Sequence, residues 1–218
     1  HIGYNRRLTW ADGTHSMGGN PKMPDFTGLE GPDDPRHIAL FVQNLEGKLT
    51  SVLYNNTSHI PIYYGAGIYS SELPGEVRKS IRKITGNNIP VLFLNGAQGD
   101  VTLGDLLNPV QETKEEKMKR VTDMVVKETM RLYKNAKFDD DPVLMHDYYD
   151  LKVGVRLPSV EQLVDGHRVL DSIDAGANIR GMPMIMAFGA VYLQEKYGDN
   201  PFHKITRYYS IPGLKNIF

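Results

Sequence analysis

The sequence predicts an α/β fold: a mostly parallel or mixed sheet covered by helices, with a long ordered N-terminal loop. Two observations lead to this fold. Strand-like and helix-like segments alternate between Thr50 and Asn135, as in an α/β domain with crossover connections. Within that region, Val91–Leu94 is a short apolar run that enters a glycine turn, which is typical of a central strand buried on both faces.

The first 37 residues are predicted to form the loop, because they are rich in Gly, Pro, Asp and Asn and show no sustained hydrophobic period. Pairs such as Asp12-Gly13 and Gly31-Pro32 mark turns. A segment of this length without regular structure is usually functional or disordered. Since Trp10 and Phe26 can pack against other residues, we expect an ordered loop laid over a site.

The next elements are predicted from the spacing of apolar residues, from helix-capping residues and from turn residues. Strands over 37–42 and 50–54 form a hairpin, since the loop between them carries a glycine near its end. A helix is expected over about 74–84, with serines as N-caps, a proline in the first turn and a stop at Gly86. The longest helix is predicted over 111–135, where apolar residues form one stripe.

The second half is less clearly patterned. The segment Asp139–Pro142 is read as a surface connection, followed by a strand over 143–157. Pro158-Ser159 starts a helix that runs to about residue 173. Residues 182–197 are apolar on several sides and predict a buried helix, and the tail from 205 is strand-like before it becomes unassignable.

Composition limits the classes of function. The 218 residues carry a formal net charge of −1, which gives no reason to expect nucleic acid as a partner. The absence of cysteine excludes disulfides and thiolate metal sites, and no apolar run is long enough for a transmembrane segment. We expect residues 1–218 to form a single catalytic domain, incomplete at both ends, with a subdomain break near 139–142.

Three loops are expected to meet at one edge of the sheet: those after Tyr54 and Leu94, and the N-terminal loop. They would bring together the imidazole of His59, the guanidinium of Arg6 and the hydroxyl of Thr102. Purely structural roles for these residues remain open. A lone histidine is more often a structural hydrogen-bonding residue, most arginines lie on the surface, and a glycine turn after a strand is commonly a plain connection.

Several of these segments together resemble the amino-terminal catalytic domain of the neutral (non-lysosomal) ceramidase family, in its short bacterial branch. They occur in the family's order over about the first half of the chain. The resembling segments are Gly3-Tyr4-Asn5-Arg6-Arg7, Asn20-Pro21, Gly31-Pro32-Asp33-Asp34-Pro35, Ser58-His59, Ser70-Ser71-Glu72-Leu73-Pro74-Gly75 and Phe93-Leu94-Asn95-Gly96-Ala97-Gln98-Gly99-Asp100-Val101-Thr102.

The resemblance implies a zinc-dependent hydrolase of N-acyl amide bonds, in which metal-activated water attacks the amide carbonyl. His59 matches a zinc histidine of the family. Arg6 matches its active-site arginine, which would stabilise the oxyanion, and Thr102 stands where the family carries a serine. Substrate contacts are expected from Asn5, Arg7, Asn95, Gln98 and Asp100.

Two other hypotheses remain. The family's second zinc histidine and its Glu and Tyr ligands have no match here, and Glu72 replaces the usual Asp. This favours a non-catalytic, ceramidase-like binding module that has lost its metal. A phosphate- or nucleotide-binding role for the turn Gly96–Gly99 comes last, because the loop lacks the P-loop lysine and the GxGxxG spacing.

The resemblance also suggests a partner and a location. The expected substrate is a small-molecule or lipid N-acyl amide such as a sphingolipid, so peripheral contact with a membrane is expected in the absence of a transmembrane segment. By family analogy, the protein is expected to be secreted or periplasmic.

Overall fold

The computed structural model describes residues 2–143 and 147–210. Within these residues the chain is a mixed α/β protein with four helices and four small sheets of two or three strands each. The coarse prediction of the fold class is therefore confirmed. The described residues divide into two compact units, with the boundary between Asp141 and Pro142. None of the described helices combines the length and the apolar character needed to cross a membrane.

The N-terminal segment forms short strands, so the prediction of a long loop is not confirmed. The second of these strands is the centre of an antiparallel three-stranded sheet in the order β3-β2-β4. Strands of two to four residues are too short to show an alternating pattern, which explains why the sequence reads as a loop. The four strands are β1 (Tyr4–Asn5), β2 (Arg7–Trp10), β3 (His15–Met17) and β4 (Phe26–Leu29).

The first unit is centred on a mixed sheet in the order β5-β6-β7. Its strands are β5 (His37–Gln43), β6 (Leu49–Asn56) and β7 (Val91–Asn95). β5 and β6 form the predicted antiparallel hairpin, whereas β6 and β7 run parallel. A further two-residue strand, β8 (Val101–Thr102), follows β7 and pairs antiparallel with β1.

Two helices cover one face of the mixed sheet. α1 (Glu72–Thr85) connects β6 with β7, and α2 (Lys114–Asn135) follows β8. α1 ends at Gly86, whose φ of 66° is readily adopted only by glycine. α2 begins with a capping box, in which Thr113 and Glu116 each bond the other's backbone N–H.

The buried core lies between this sheet face and the two helices. Tyr54 on β6 is 2 % exposed, and its ring packs against the rings of His37 and Phe93, with centroids 5.7 and 5.3 Å away. Apolar residues of α1 and α2 complete this core: Leu73, Val77, Ile81, Met118, Val121, Val125 and Val126.

The opposite face of the sheet corrects one prediction. Val91–Leu94 was expected to be buried on both faces, yet Leu92 and Leu94 are 51 % and 53 % exposed, while Val91 is buried. The reason is that, in the described part of the chain, both helices pack on the same side of the sheet. β7 is also an edge strand, since only β6 pairs with it there.

The second unit contains two strands and two helices. They are β9 (Asp147–Gly154), α3 (Val160–Asp174), α4 (Met182–Tyr197) and β10 (Phe202–Ser210). β9 and β10 pair antiparallel, and α3 begins with a capping box at Ser159. The parts of the predicted strand over 144–146 and of the tail beyond 210 lie outside the described residues.

The bounds predicted for α4 are confirmed, but its predicted burial is wrong. Only Ala187 of this helix is buried, while Met182, Ile185 and Phe188 are more than half exposed. A helix that is apolar on several sides indicates burial only where other surfaces surround it. Among the described residues, α3 is the helix that packs against it.

Tyr54 offers a test of the core. Its hydroxyl is buried and has no hydrogen-bond partner among the described residues. We expect Tyr54→Phe to leave the free energy of unfolding unchanged or to raise it, because the ring stays and an unsatisfied group is removed. Tyr54→Ala should lower it by about 3–5 kcal/mol through loss of the ring. Urea denaturation measures both changes. A clear loss of stability in the Phe variant would show that the Tyr54 hydroxyl has a hydrogen-bond partner.

His37 predicts a pH dependence. Burial lowers the pKa of His37, and the Glu128 carboxylate opposes this shift. The Nε2 of the ring lies 2.8 Å from Thr129 Oγ1. Since the unfolded chain binds the proton more readily, with a pKa of about 6.5, the contribution to stability is full above that pH and is lost as the pH falls through it. Urea denaturation between pH 7.5 and 5 should show a steeper loss in the wild type than in His37→Gln. Equal slopes would contradict this expectation.

Candidate active site

Pairing of β1 with β8 brings the start of the chain against the glycine turn that follows β7. The register places Asn5 opposite Val101. The next residue, Arg6, donates its backbone N–H to the Asp100 carbonyl oxygen at 2.7 Å. Arg6 therefore lies beside the glycine turn that follows β7.

The segment after β6 passes between two glycines. A Cβ at Gly3 would lie 2.2 Å from the Thr57 carbonyl oxygen, and a Cβ at Gly96 would lie 2.0 Å from Thr57 Oγ1. Neither position accepts a side chain unless Thr57 moves. Thr57 and Ser58 are 5 % and 0 % exposed, so close backbone packing delivers the following residue, His59, to β8.

The orientation of His59 is set by one carbonyl group. The His59 backbone N–H donates to the Val101 oxygen at 3.1 Å, and Nδ1 of the ring lies 2.8 Å from the same oxygen. Because a carbonyl oxygen only accepts, Nδ1 carries a proton. In the neutral imidazole, Nε2 then carries the lone pair that accepts from Arg6 Nη2 at 3.4 Å, and a proton or a metal ion at Nε2 would displace this contact.

Arg6 lies next to that nitrogen. Its Nη2 is 3.4 Å from His59 Nε2 and donates to the Gly99 carbonyl oxygen at 3.0 Å. Its Nε is buried without a partner, and no carboxylate of the described residues forms an ion pair with this guanidinium. A guanidinium without a carboxylate partner is available to an anionic ligand or to developing negative charge.

Asn5 and Asp100 hold the corner between β1 and β8. Asn5 is 3 % exposed, and its Nδ2 donates to Asp100 Oδ2 at 3.3 Å. Its Oδ1 accepts from the Arg7 backbone N–H at 2.8 Å. Both residues are predicted to contact substrate, which stays a prediction. In the structure their side chains are bonded to each other, next to Arg6 in the chain.

Arg7 has a different environment from Arg6. Its guanidinium forms a two-pronged ion pair with Glu30, in which Nε bonds Oε2 and Nη2 lies 2.9 Å from Oε1. His15 Nδ1 is 3.7 Å from the same carboxylate. The hydrogen bond to Arg7 holds the pKa of Glu30 below its usual value. Arg7 is therefore engaged in the N-terminal sheet.

Three other predicted site residues form no hydrogen bond with Arg6 or His59. Thr102 is partly exposed in β8, where it lies opposite Tyr4. Asn95 is exposed at the end of β7. The Oε1 of Gln98 is buried and finds no partner in the described residues. Among the predicted site residues, Arg6 thus contacts His59 directly, and Asn5 and Asp100 form a neighbouring hydrogen bond.

Glu72 is a site-forming residue that the sequence analysis missed. Its carboxylate accepts from the Ile62 N–H at 2.8 Å and from the Tyr63 N–H at 3.2 Å. These bonds anchor the loop that leaves His59. Glu72 has a φ of 49°, and its own N–H is bonded by Ser70 Oγ at 2.9 Å. The sequence signal for this role was a carboxylate directly after two serines at the start of a predicted helix, because such a side chain can accept hydrogen bonds from nearby backbone N–H groups.

A zinc site needs three or more protein ligands. Within residues 2–143 and 147–210, the structure shows no group of three or more His, Asp or Glu side chains that could hold a metal ion. His59 offers one nitrogen, so the described residues supply one ligand of a zinc shell and do not complete it. The zinc prediction stays a prediction.

Comparison with known proteins identified no relative of this chain. The chain matches none of the protein-family models, curated proteins or solved structures with which it was compared.

Proposed function

We propose that this chain is a ceramidase-like hydrolase of N-acyl amide bonds, in which Arg6 and His59 act on one amide group. The proposal rests on one observation: Arg6 Nη2 lies 3.4 Å from the His59 nitrogen that carries the lone pair of the neutral ring, a long contact that water at Nε2 would replace. A proton acceptor beside a cationic donor fork matches the needs of amide hydrolysis. The ordered set of ceramidase-like segments supports an amide as the group attacked.

The reaction can be written with these two side chains. His59 Nε2 takes a proton from a water molecule while the water oxygen bonds to the acyl carbon, and the carbonyl oxygen becomes an oxyanion beside Arg6. The proton then passes from His59 to the amide nitrogen, and the C–N bond breaks. A carboxylic acid and an amine leave the site.

The resemblance adds further parts to the proposal. They are a zinc ion bound through His59, which would then activate the water in place of proton transfer to Nε2, a lipid substrate such as ceramide, a secreted or periplasmic location and contact with a membrane surface. Each of these rests on the ceramidase-like segments alone.

The two proposed catalytic side chains give the first test. We expect Arg6→Lys to lower kcat/KM for a fluorescent N-acyl amide by about 10²–10³, because the planar fork beside the oxyanion is lost. His59→Ala should lower it by about 10²–10⁴, since the proton acceptor is removed. Steady-state kinetics at pH 7.5 measure both effects.

Matched controls are available on α3, where His167 and Arg168 are exposed. Replacing either with Ala should leave kcat/KM unchanged. Equal activity of Arg6→Lys and wild type would contradict the proposal. If the wild type binds the N-acyl amide but never hydrolyses it, the non-catalytic binding module becomes the correct function.

Zinc content gives the second test. If the resemblance holds, elemental analysis of the purified full chain will find zinc. His59→Ala should lose the metal, because Nε2 is the ring nitrogen without a proton and is therefore the one that would bind it. His167→Ala serves as the control and should keep the metal. Unchanged zinc in His59→Ala would remove His59 as a ligand, while an active, zinc-free wild type would leave proton transfer as its role.

A further inference from the structure

A cavity of about 480 Å³ lies in the first unit, between the β5–β6 hairpin and α2. Its lining includes His37 at the start of β5, Asn56 at the end of β6 and Lys127 on α2. Arg6 and His59 do not line it. The cavity therefore shares Gly3 and Thr57 with the candidate active site but contains neither of its two functional side chains, and its volume falls in the range of small-molecule sites.

Asn56 is the unusual feature of this cavity. Its side chain is 3 % exposed, and neither Oδ1 nor Nδ2 has a hydrogen-bond partner among the described residues. Side chains alternate along a strand, so Asn56 lies on the same face as Tyr54, toward α2. Its register partner His37 bonds to Thr129 of α2, which places the cavity on this face. Buried amides normally have partners, so this one calls for a ligand that both donates and accepts.

Among the charged lining residues that the structure describes, one cation has no partner. Arg36 Nε lies 2.8 Å from Asp34 Oδ1, and Arg131 Nη2 lies 2.6 Å from Glu128 Oε1. Lys127 forms no ion pair or hydrogen bond within the part of the chain that the structure describes. The cavity therefore carries a net positive charge and favours an anion.

We propose that this cavity binds a small organic anion that carries an amide group. The carboxylate would pair with Lys127, and the amide N–H and C=O would satisfy the two free groups of Asn56. An apolar part of the ligand would lie against Met124 and Val125, which also line the cavity. This inference does not depend on the proposed hydrolase function.

Three probes that share the branched side chain separate the recognition elements. They are N-acetyl-leucine, its uncharged analogue N-acetyl-leucinamide, and 4-methylpentanoate, which has the charge but no amide. Calorimetric titration of the full-length His59→Ala variant at pH 7.5 avoids hydrolysis at the other site. We expect N-acetyl-leucine to bind with a Kd at least about tenfold lower than either analogue, since the uncharged analogue loses the contact with Lys127 and 4-methylpentanoate loses both hydrogen bonds with Asn56. Equal affinities for all three, or no binding at all, would overturn the proposal.

A pair of lysine variants locates the binding. Lys127→Met should weaken binding of N-acetyl-leucine by about tenfold, because the unpaired cation is lost. Lys134→Met, two turns further along α2 and outside the cavity lining, is the matched control and should bind as the parent does. Binding that is insensitive to Lys127→Met would place the ligand elsewhere.

Asn56→Leu gives a test that a merely structural asparagine would fail. The variant should lose binding of N-acetyl-leucine while its Tm stays unchanged or rises, because no hydrogen bond of the protein is removed. A marked fall in Tm, or failure to fold, would show that the amide has partners in the protein and would overturn the proposal. Retained binding in a folded variant would do the same.

Discussion

The parallel pairing of β6 with β7 is the constraint on which both candidate sites depend. It aligns Asn56 with Asn95, so the two strands end at the same edge of the sheet. The segment that leads to His59 and the glycine turn therefore start side by side, as expected at the carboxyl edge of parallel strands. A slip of one residue would turn Tyr54 and Asn56 to the open face of the sheet and would dismantle the core together with the cavity.

Local patterns predicted much of the secondary structure, because they depend on neighbours in sequence. The end of α1 at Gly86, the bounds of α4 and the β5–β6 hairpin are of this kind. Burial was harder to predict, since it depends on which surfaces meet. An apolar run such as Leu92–Leu94 does not reveal that both helices lie on one side. The strands of the N-terminal segment were missed because their pairing, rather than their period, defines them.

The candidate site shows the same division. That the loops after Tyr54 and Leu94 lie near each other was predicted from strand order, because both follow strands of one sheet. Arg6 was expected beside them only as part of an N-terminal loop laid over the site, whereas its position follows from the pairing of β1 with β8. The different environments of Arg6 and Arg7 were not predictable, since the two side chains are chemically identical and adjacent. Successive side chains of an extended chain point to opposite sides, and Glu30 lies on the side of Arg7. Such a choice depends on contacts between residues far apart in the chain.

The two carbonyl groups that hold the candidate site are consecutive. The backbone of Arg6 bonds to the oxygen of Asp100, and that of His59 bonds to the oxygen of Val101. The two oxygens belong to consecutive peptide units that meet at the Cα of Val101. Both attachment points therefore lie on one short segment of backbone, so a displacement of that segment would move the backbones of Arg6 and His59 together. A substitution that distorts Val101 is then expected to disturb both side chains at once.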